Sequence, residues 1–196
     1  MKKINQLTLA TILLSFSSIS LADAEDWYTM WGLGIASHSH PSALQKDFDD
    51  LEKLDGVTRT ELAIDMLGIY FPLGDDQTIA GFVINSSADA LTDGVTTIQY
   101  NYYIYGLSAM HFLGSEPGDG FFVRADAGMA RAVSIVTLFG NTVSGQSKSS
   151  WGFLGGVGYG IPLSADTRIL LGANYALRDI EGEMESAMEF TISGLW

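Results

Sequence analysis

The segment Thr167-Arg168-Ile169-Leu170-Leu171-Gly172-Ala173-Asn174-Tyr175-Ala176-Leu177-Arg178 decides the fold. Successive side chains of a strand point to opposite faces. Thr167, Ile169, Leu171, Ala173, Tyr175 and Leu177 therefore share one face, and Arg168, Leu170, Gly172, Asn174, Ala176 and Arg178 the other. The first face suits lipid and the second a polar interior. Just upstream, Trp151, Phe153, Val157, Tyr159 and Ile161 oppose Gly152, Leu154, Gly156, Gly158 and Gly160, glycines that leave room inside. Just downstream, Met188, Phe190, Ile192 and Trp196 alternate with Glu189, Thr191, Ser193 and Leu195.

The same alternation predicts eight strands, at 27–37, 59–71, 77–87, 95–109, 121–132, 150–161, 166–178 and 187–196. A tilted strand needs about 9 to 11 residues to cross a bilayer, close to these lengths. The fifth directs Phe121, Val123, Ala125, Ala127 and Met129 outward and Arg124, Asp126, Gly128 and Ala130 inward. The second is expected to place Leu62, Ile64, Met66 and Tyr70 outside against Glu61, Ala63, Asp65 and Leu67. The fourth is expected to place Ile98, Tyr100, Tyr102 and Ile104 outside against Gln99, Asn101, Tyr103 and Tyr105. In the third, Ala80, Phe82 and Ile84 compete with Ile79, Gly81 and Val83 for the outer face, which leaves its register open.

Three connections read as tight turns: Pro72-Leu73-Gly74-Asp75-Asp76, the stretch 114–120 with Pro117-Gly118-Asp119-Gly120, and Pro162-Leu163-Ser164-Ala165. The other four, about 38–58, 88–94, 133–149 and 179–186, read as longer loops. Short periplasmic turns, long extracellular loops and an even strand number with both termini periplasmic are the habit of bacterial outer-membrane barrels. In the first long loop Ser42 and Gln45 have capping-box spacing, with Ser42 the expected N-cap. Leu44, Phe48 and Leu51 follow at helical spacing, with Asp47, Asp49, Asp50 and Glu52 on the remaining faces. A short helix packed on the rim is expected.

The N-terminus carries Lys2 and Lys3, an apolar run from Leu7 to about Leu21, and small residues at Ala22 and Ala24. This is the pattern of a secretory signal peptide over 1–24, with cleavage after Ala22 or Ala24 fitting equally well and a barrel domain over 25–196. The run is short and broken by serines, unlike a spanning helix of about 20 apolar residues. The net charge of the whole chain is -13, and loss of Lys2 and Lys3 makes it more negative. Nucleic acid is therefore not an expected partner, since phosphate binding needs clustered Lys and Arg. With Cys 0, disulfide frameworks, zinc–thiolate sites and thiol catalysis are excluded.

A strand in hydrocarbon must satisfy every backbone N–H and C=O within the protein, and closure of the sheet removes its edges. The expectation is an all-β, eight-stranded antiparallel up-and-down transmembrane barrel. Eight strands enclose a space that side chains fill, so an open aqueous channel is not expected. Glu61, Asp65, Gln99, Asn101, Arg124, Asp126, Asn174, Arg178 and Glu189 would form the lumenal polar network, with Arg178 facing Glu189 and Arg124 neutralised by Asp126 or Asp65. Trp27, Trp31, Tyr70, Tyr100, Tyr102, Trp151, Tyr159, Tyr175 and Trp196 are expected on the outside, several at girdle positions. A soluble lipocalin-like barrel, the rival fold, would reverse every face.

In architecture the sequence resembles the small outer-membrane barrels: the OmpA transmembrane domain, the OmpX/Ail type, the opacity proteins and the OmpW type. The C-terminal residues Met188, Phe190, Ile192 and Trp196 match the aromatic-ended signal that those families present to the barrel-assembly machinery, while Gly194 departs from it. The glycine-rich run 152–160, the Pro162 turn and the strand ending in Tyr175 resemble their penultimate hairpin. With the chain stopping at Trp196, no peptidoglycan-binding domain of the OmpA kind is expected. The resemblance implies contact with outer-membrane lipid and lipopolysaccharide, and surface partners through loops 38–58 and 133–149.

Chemistry is sparse. His38-Ser39-His40, with Glu61 on the returning strand, is a suggestive grouping for acyl transfer, but adjacent strand residues face opposite ways and Ser39 meets neither histidine. His38 and His40 share a face that nearby carboxylates could complete as a metal site, without a third ligand fixed by spacing. Acidic clusters at Asp47, Asp49, Asp50 and at Glu181, Glu183, Glu185 have no EF-hand spacing. His111 reads as an ordinary interfacial residue by a periplasmic turn. Gly155-Gly156-Val157-Gly158-Tyr159-Gly160 lacks the helix and lysine of a nucleotide loop and reads as strand. No catalytic residue, cofactor or resident metal is expected. The expected role is structural or surface interaction, with a narrow pore or hydrophobic-solute route and a lipid A-modifying enzyme as alternatives.

Overall fold

The computed structural model describes residues 27–73, 75–164 and 166–196. The expected signal peptide, with its cleavage after Ala22 or Ala24, lies outside the described residues. Among these the element order is β1 (Tyr28–Ser39), α1 (Ser42–Glu52), β2 (Thr58–Leu73), β3 (Asp75–Thr92), β4 (Thr96–Phe112), β5 (Gly120–Leu138), β6 (Asn141–Gln146), β7 (Ser150–Pro162), β8 (Arg168–Ile180) and β9 (Glu183–Leu195). All pairings are antiparallel, and β9 returns to β1, from Met30 opposite Leu195 to Ser39 opposite Ser186. The sheet is thereby closed, and among the described residues no lipid-facing edge of the barrel is left unpaired. β6 pairs only with Val133–Leu138 at the far end of β5. Eight strands therefore make the barrel, and β6 is the second arm of a hairpin standing on its rim.

The faces are those of a membrane protein. Phe82, Phe121 and Ile192 are 64%, 66% and 61% exposed on the outside, while Asp65, Arg124, Arg178 and Glu189 are buried within. A soluble barrel would have the opposite arrangement. At the end carrying the termini, Met30, Tyr70, Ile79, Met110, Phe112, Phe122, Leu170 and Leu195 pack into an apolar plug across the lumen. Glycines on β7 make this filling fit: a side chain at Gly158 would collide with the Phe122 ring, and one at Gly156 with the Asn174 amide.

Two expected faces are corrected. On β4 the tyrosines are reversed: Tyr102 is 2% exposed and Ile104 fully buried in the lumen, whereas Tyr105 is exposed. Both faces of this strand are rich in Tyr and Ile, so hydrophobicity did not decide. Pairing with β3 does, setting Tyr100 opposite Asp89 and Tyr102 opposite Ser87. Gln99 and Asn101 thus leave the lumenal network for the outer face, where the Gln99 amide donates to Asn101 at 2.7 Å. On β2 the ladder shifts between Asp65 and Leu67. That bulge inserts one residue and flips the parity beyond it, so Leu67 is exposed and Tyr70 is buried in the plug, donating to Ser108 Oγ at 3.1 Å. On β3, Phe82 is outside and Val83, 3% exposed, is inside.

The loop pattern also differs. β3 and β4 run on to Thr92 and Thr96, and β8 and β9 to Ile180 and Glu183, so two of the four expected long loops are tight turns. Glu181 and Gly182 have φ of 58° and 89°, and Phe139 and Gly140 have φ of 48° and 83°. These are the paired left-handed residues of two-residue hairpins. The turn 113–119, at the terminal end, is longer than either.

Candidate functional site

Two charge clusters fill the lumen above the plug. Arg124 reaches Asp65 at 2.9 Å and Asp126 at 2.7 Å, all three being buried. Ser193 donates to the second Asp65 oxygen at 3.0 Å. Farther along, Arg178 reaches Glu189 at 2.7 Å and Glu185 at 3.0 Å, and donates to Asn85 Oδ1 at 3.0 Å. Asn85 in turn donates to Glu189 at 3.1 Å, joining β3 to β8 and β9 across the barrel. Burying charges this completely is tolerable only because each has a hydrogen-bonded opposite. Between plug and clusters, the free space beside Arg124 is about 10 Å³, room for one water.

Glu185 is a correction. Its spacing with Glu181 and Glu183 suggested an exposed acidic loop, yet it is completely buried. β9 begins at Glu183, so strand parity sends Glu185 inward with Ala187 and Glu189. The signal available was the alternation itself, extended two residues earlier.

A third cluster sits at the long-loop end. Strand parity turns His38 and His40 into the barrel, their rings parallel within 6° and 5.7 Å apart. Ser39 between them is exposed on the outside. Register sets Glu61 of β2 directly opposite Asp89 of β3, facing both rings. His38 Nδ1 lies 3.2 Å from Glu61 Oε1, and its Nε2 is 2.9 Å from Ser87 Oγ. A carboxylate only accepts, so Nδ1–H donates to Glu61 and Nε2 accepts the Ser87 hydroxyl. By the same logic His40 donates through Nε2 to Asp89 at 2.7 Å and accepts from Tyr102 at 3.0 Å. Ser87, Asp89 and Tyr102 come from strands distant in sequence and carry no local motif.

Helix α1 closes this end. Its N-cap is Pro41 rather than the expected Ser42, with no side-chain cap bond, while the Gln45 side chain accepts the His40 N–H at 3.0 Å. Phe48 is thereby seated in the mouth, 4.9 Å from the His40 ring and 5.7 Å from Tyr100. The Arg59 guanidinium lies 5.5 Å from the Phe48 centroid. Leu44, in the helix's first turn, lines a cavity of about 400 Å³ with Tyr100, Tyr102, Ile180 and Glu185.

Chemically the mouth offers two constellations. Ser87, His38 and Glu61 have the connectivity of a nucleophile, base and orienting acid, but Ser87 is fully buried inside the barrel. His38, Glu61 and Asp89 present ligand atoms within 4.8 Å of one another, the nitrogen and oxygen donors of a zinc site. Arg59, however, reaches Asp89 at 2.7 Å and Glu61 at 3.4 Å, holding a positive charge against the same carboxylates. Away from this end, His111 Nδ1 lies 2.9 Å from Thr78 Oγ1.

No family model and no curated protein matches the chain. Solved structures share its fold. Neisserial surface protein A superposes with a TM-score of 0.52 at 14% identity, over 86% of this chain and 95% of that one. Ail, the attachment invasion locus protein of Yersinia pestis, crystallised with the heparin analogue sucrose octasulfate, gives 0.51 at 10% identity, over 88% of this chain and 100% of that one. Ail is an outer membrane protein. At such identities what is shared is the architecture: this chain is an eight-stranded barrel of the outer-membrane type.

Proposed function

We propose that the protein is a non-conducting outer-membrane barrel that works at its outer mouth, in surface interaction rather than transport or catalysis. The observation that carries this reading is the filled lumen. An apolar plug spans one end, buried charge clusters cross the middle, and Phe48 and Arg59 sit across the other. Among the described residues, these groups stand in the path of water and ions. What remains accessible to partners is the rim: α1, the β5–β6 hairpin and the acidic mouth. An acidic mouth disfavours sulfated glycans such as the analogue bound by Ail and favours cationic partners. Planar-bilayer recording tests the reading, with no conductance above the lipid baseline expected. Stable single-channel steps would overturn it.

A second reading, hydrolysis of an outer-membrane lipid, draws on the Ser87–His38–Glu61 chain. It requires an acyl chain to reach a hydroxyl enclosed by the barrel wall. Mass spectrometry of lipid A from cells with and without the protein tests it, and an altered acylation pattern abolished by Ser87→Ala would favour it over the first.

A further inference from the structure

We propose that Arg131 and Lys148 hold the phosphate monoester of a membrane lipid against the barrel wall at its long-loop end. The chain carries 23 acidic residues, and Lys46, Lys53, Arg59, Arg124, Arg168 and Arg178 each reach a carboxylate. Arg131 and Lys148 form no ion pair among the described residues, and they are neighbours. The Arg131 Nε–H donates to the Ser147 carbonyl at 3.3 Å, and Ser147 exchanges two further hydrogen bonds with Ala132, both at 2.9 Å. The backbone of Lys148, an exposed residue, is thereby fixed beside Arg131. The Glu181 carboxylate takes only the backbone N–H of Lys148, at 3.3 Å.

Height and chemistry both point to a lipid phosphate. On the outer face of β5, Phe121, Val123, Ala125, Ala127 and Met129 precede Arg131. With about 3.4 Å per residue and a tilt of about 40°, Arg131 stands about 26 Å above Phe121, the height of a lipid-facing apolar band. It therefore meets the headgroups, one step beyond the exposed Tyr105 and Trp151 that flank Met129. Both terminal nitrogens of Arg131 have no partner among the described residues, and their fork matches two phosphate oxygens. Tyr103, directly across the ladder from Arg131, adds a phenol on the same face. A phosphate monoester carries a charge of about -1.5 to -2 at neutral pH, which the two cations match, whereas a diester carries less. Met129, Tyr105 and Trp151 supply the apolar surface along which the acyl chains descend. That surface favours a lipid over a soluble phosphate.

The test uses the protein without its signal peptide, in phosphate-free maltoside micelles, titrated with dihexanoyl phosphatidic acid. The NMR amide shifts of Tyr103, Arg131 and Lys148 report binding. Dihexanoyl phosphatidylglycerol offers a diester on the same acyl chains, and glycerol 3-phosphate the monoester without them. Phosphatidic acid is expected to move these amides and to bind at least about tenfold tighter than either comparator. Arg131→Gln should weaken it by about tenfold and Lys148→Gln by several-fold, with the melting temperature unchanged, while Lys53→Gln should have no effect. Lys148→Gln, an exposed change, decides the matter if Arg131→Gln does not fold. Equal affinity for the diester, shifts spread evenly around the rim, or unchanged affinity in Lys148→Gln would each overturn the proposal. Glycerol 3-phosphate binding as tightly as phosphatidic acid would overturn the lipid and assign the site to a soluble phosphate. A conducting barrel would leave this inference standing, and a failed titration would leave the non-conducting reading standing.

Discussion

The guanidinium of Arg59 grips both carboxylate oxygens of Asp89, at 3.0 Å through Nε and 2.7 Å through Nη2. It thereby fills the electrostatic role that a metal ion between His38, Glu61 and Asp89 would otherwise take. Adding EDTA to the purified protein should leave its melting temperature unchanged. Arg59→Gln should gain Zn²⁺ affinity by at least about tenfold, since a cation beside the incoming ion is removed. Competition with a zinc-sensitive dye measures this, and equal zinc affinity in both proteins would refute it.

Arg124 is the only cation the structure gives to Asp65 and Asp126 among the described residues. Arg124→Met strands two buried carboxylates and should destabilise the barrel by about 3 to 5 kcal/mol. Combining it with Asp65→Asn and Asp126→Asn should restore most of the loss. Equilibrium unfolding in guanidinium chloride from lipid bilayers gives the comparison.

The reversed face of β4 is open to a direct check. A nitroxide at position 103 should be accessible to oxygen dissolved in the bilayer, and one at position 102 should not. The same contrast is expected between positions 82 and 83 on β3. Power-saturation electron paramagnetic resonance distinguishes the two faces, and the opposite pattern would restore the alternation expected from sequence.

In the turn between β3 and β4, the backbone N–H groups of Thr96 and Val95 donate to Asp93 and hold its carboxyl below the usual 3.8. A depressed carboxylate supports the turn fully at neutral pH and loses that support as pH falls through its folded value. Carbon-detected NMR of Asp93 should show a midpoint below 3.8, moving up toward it when Thr96 is replaced by proline.

The fold was legible because most strands state their polarity plainly. Ile192 and Phe190 against Glu189 and Thr191, or Leu171 and Tyr175 against Asn174 and Arg178, can face only one way in a bilayer. β4 is ambiguous because Tyr and Ile occupy both of its faces, and Tyr70 departs from the alternation because a bulge is a backbone event that no side chain near Met66 announces. The mouth was less legible. His38 and His40 stood out by type, but Ser87 and Asp89 become their partners only through the register of β2 on β3. Glu185 hid within an acidic run whose turn, Glu181-Gly182, lacks the familiar Asn-Gly signal.

The greasy stopper formed by Met30, Phe112, Phe122 and Leu195 separates the two openings of the tube. The terminal end holds the Arg168–Glu116 ion pair, and hydrocarbon lies between it and the inner charges, so Arg178, Glu185, His38 and His40 are reached from the long-loop end. The chemistry of the mouth therefore follows conditions at the long-loop end, insulated from those at the opposite face of the membrane.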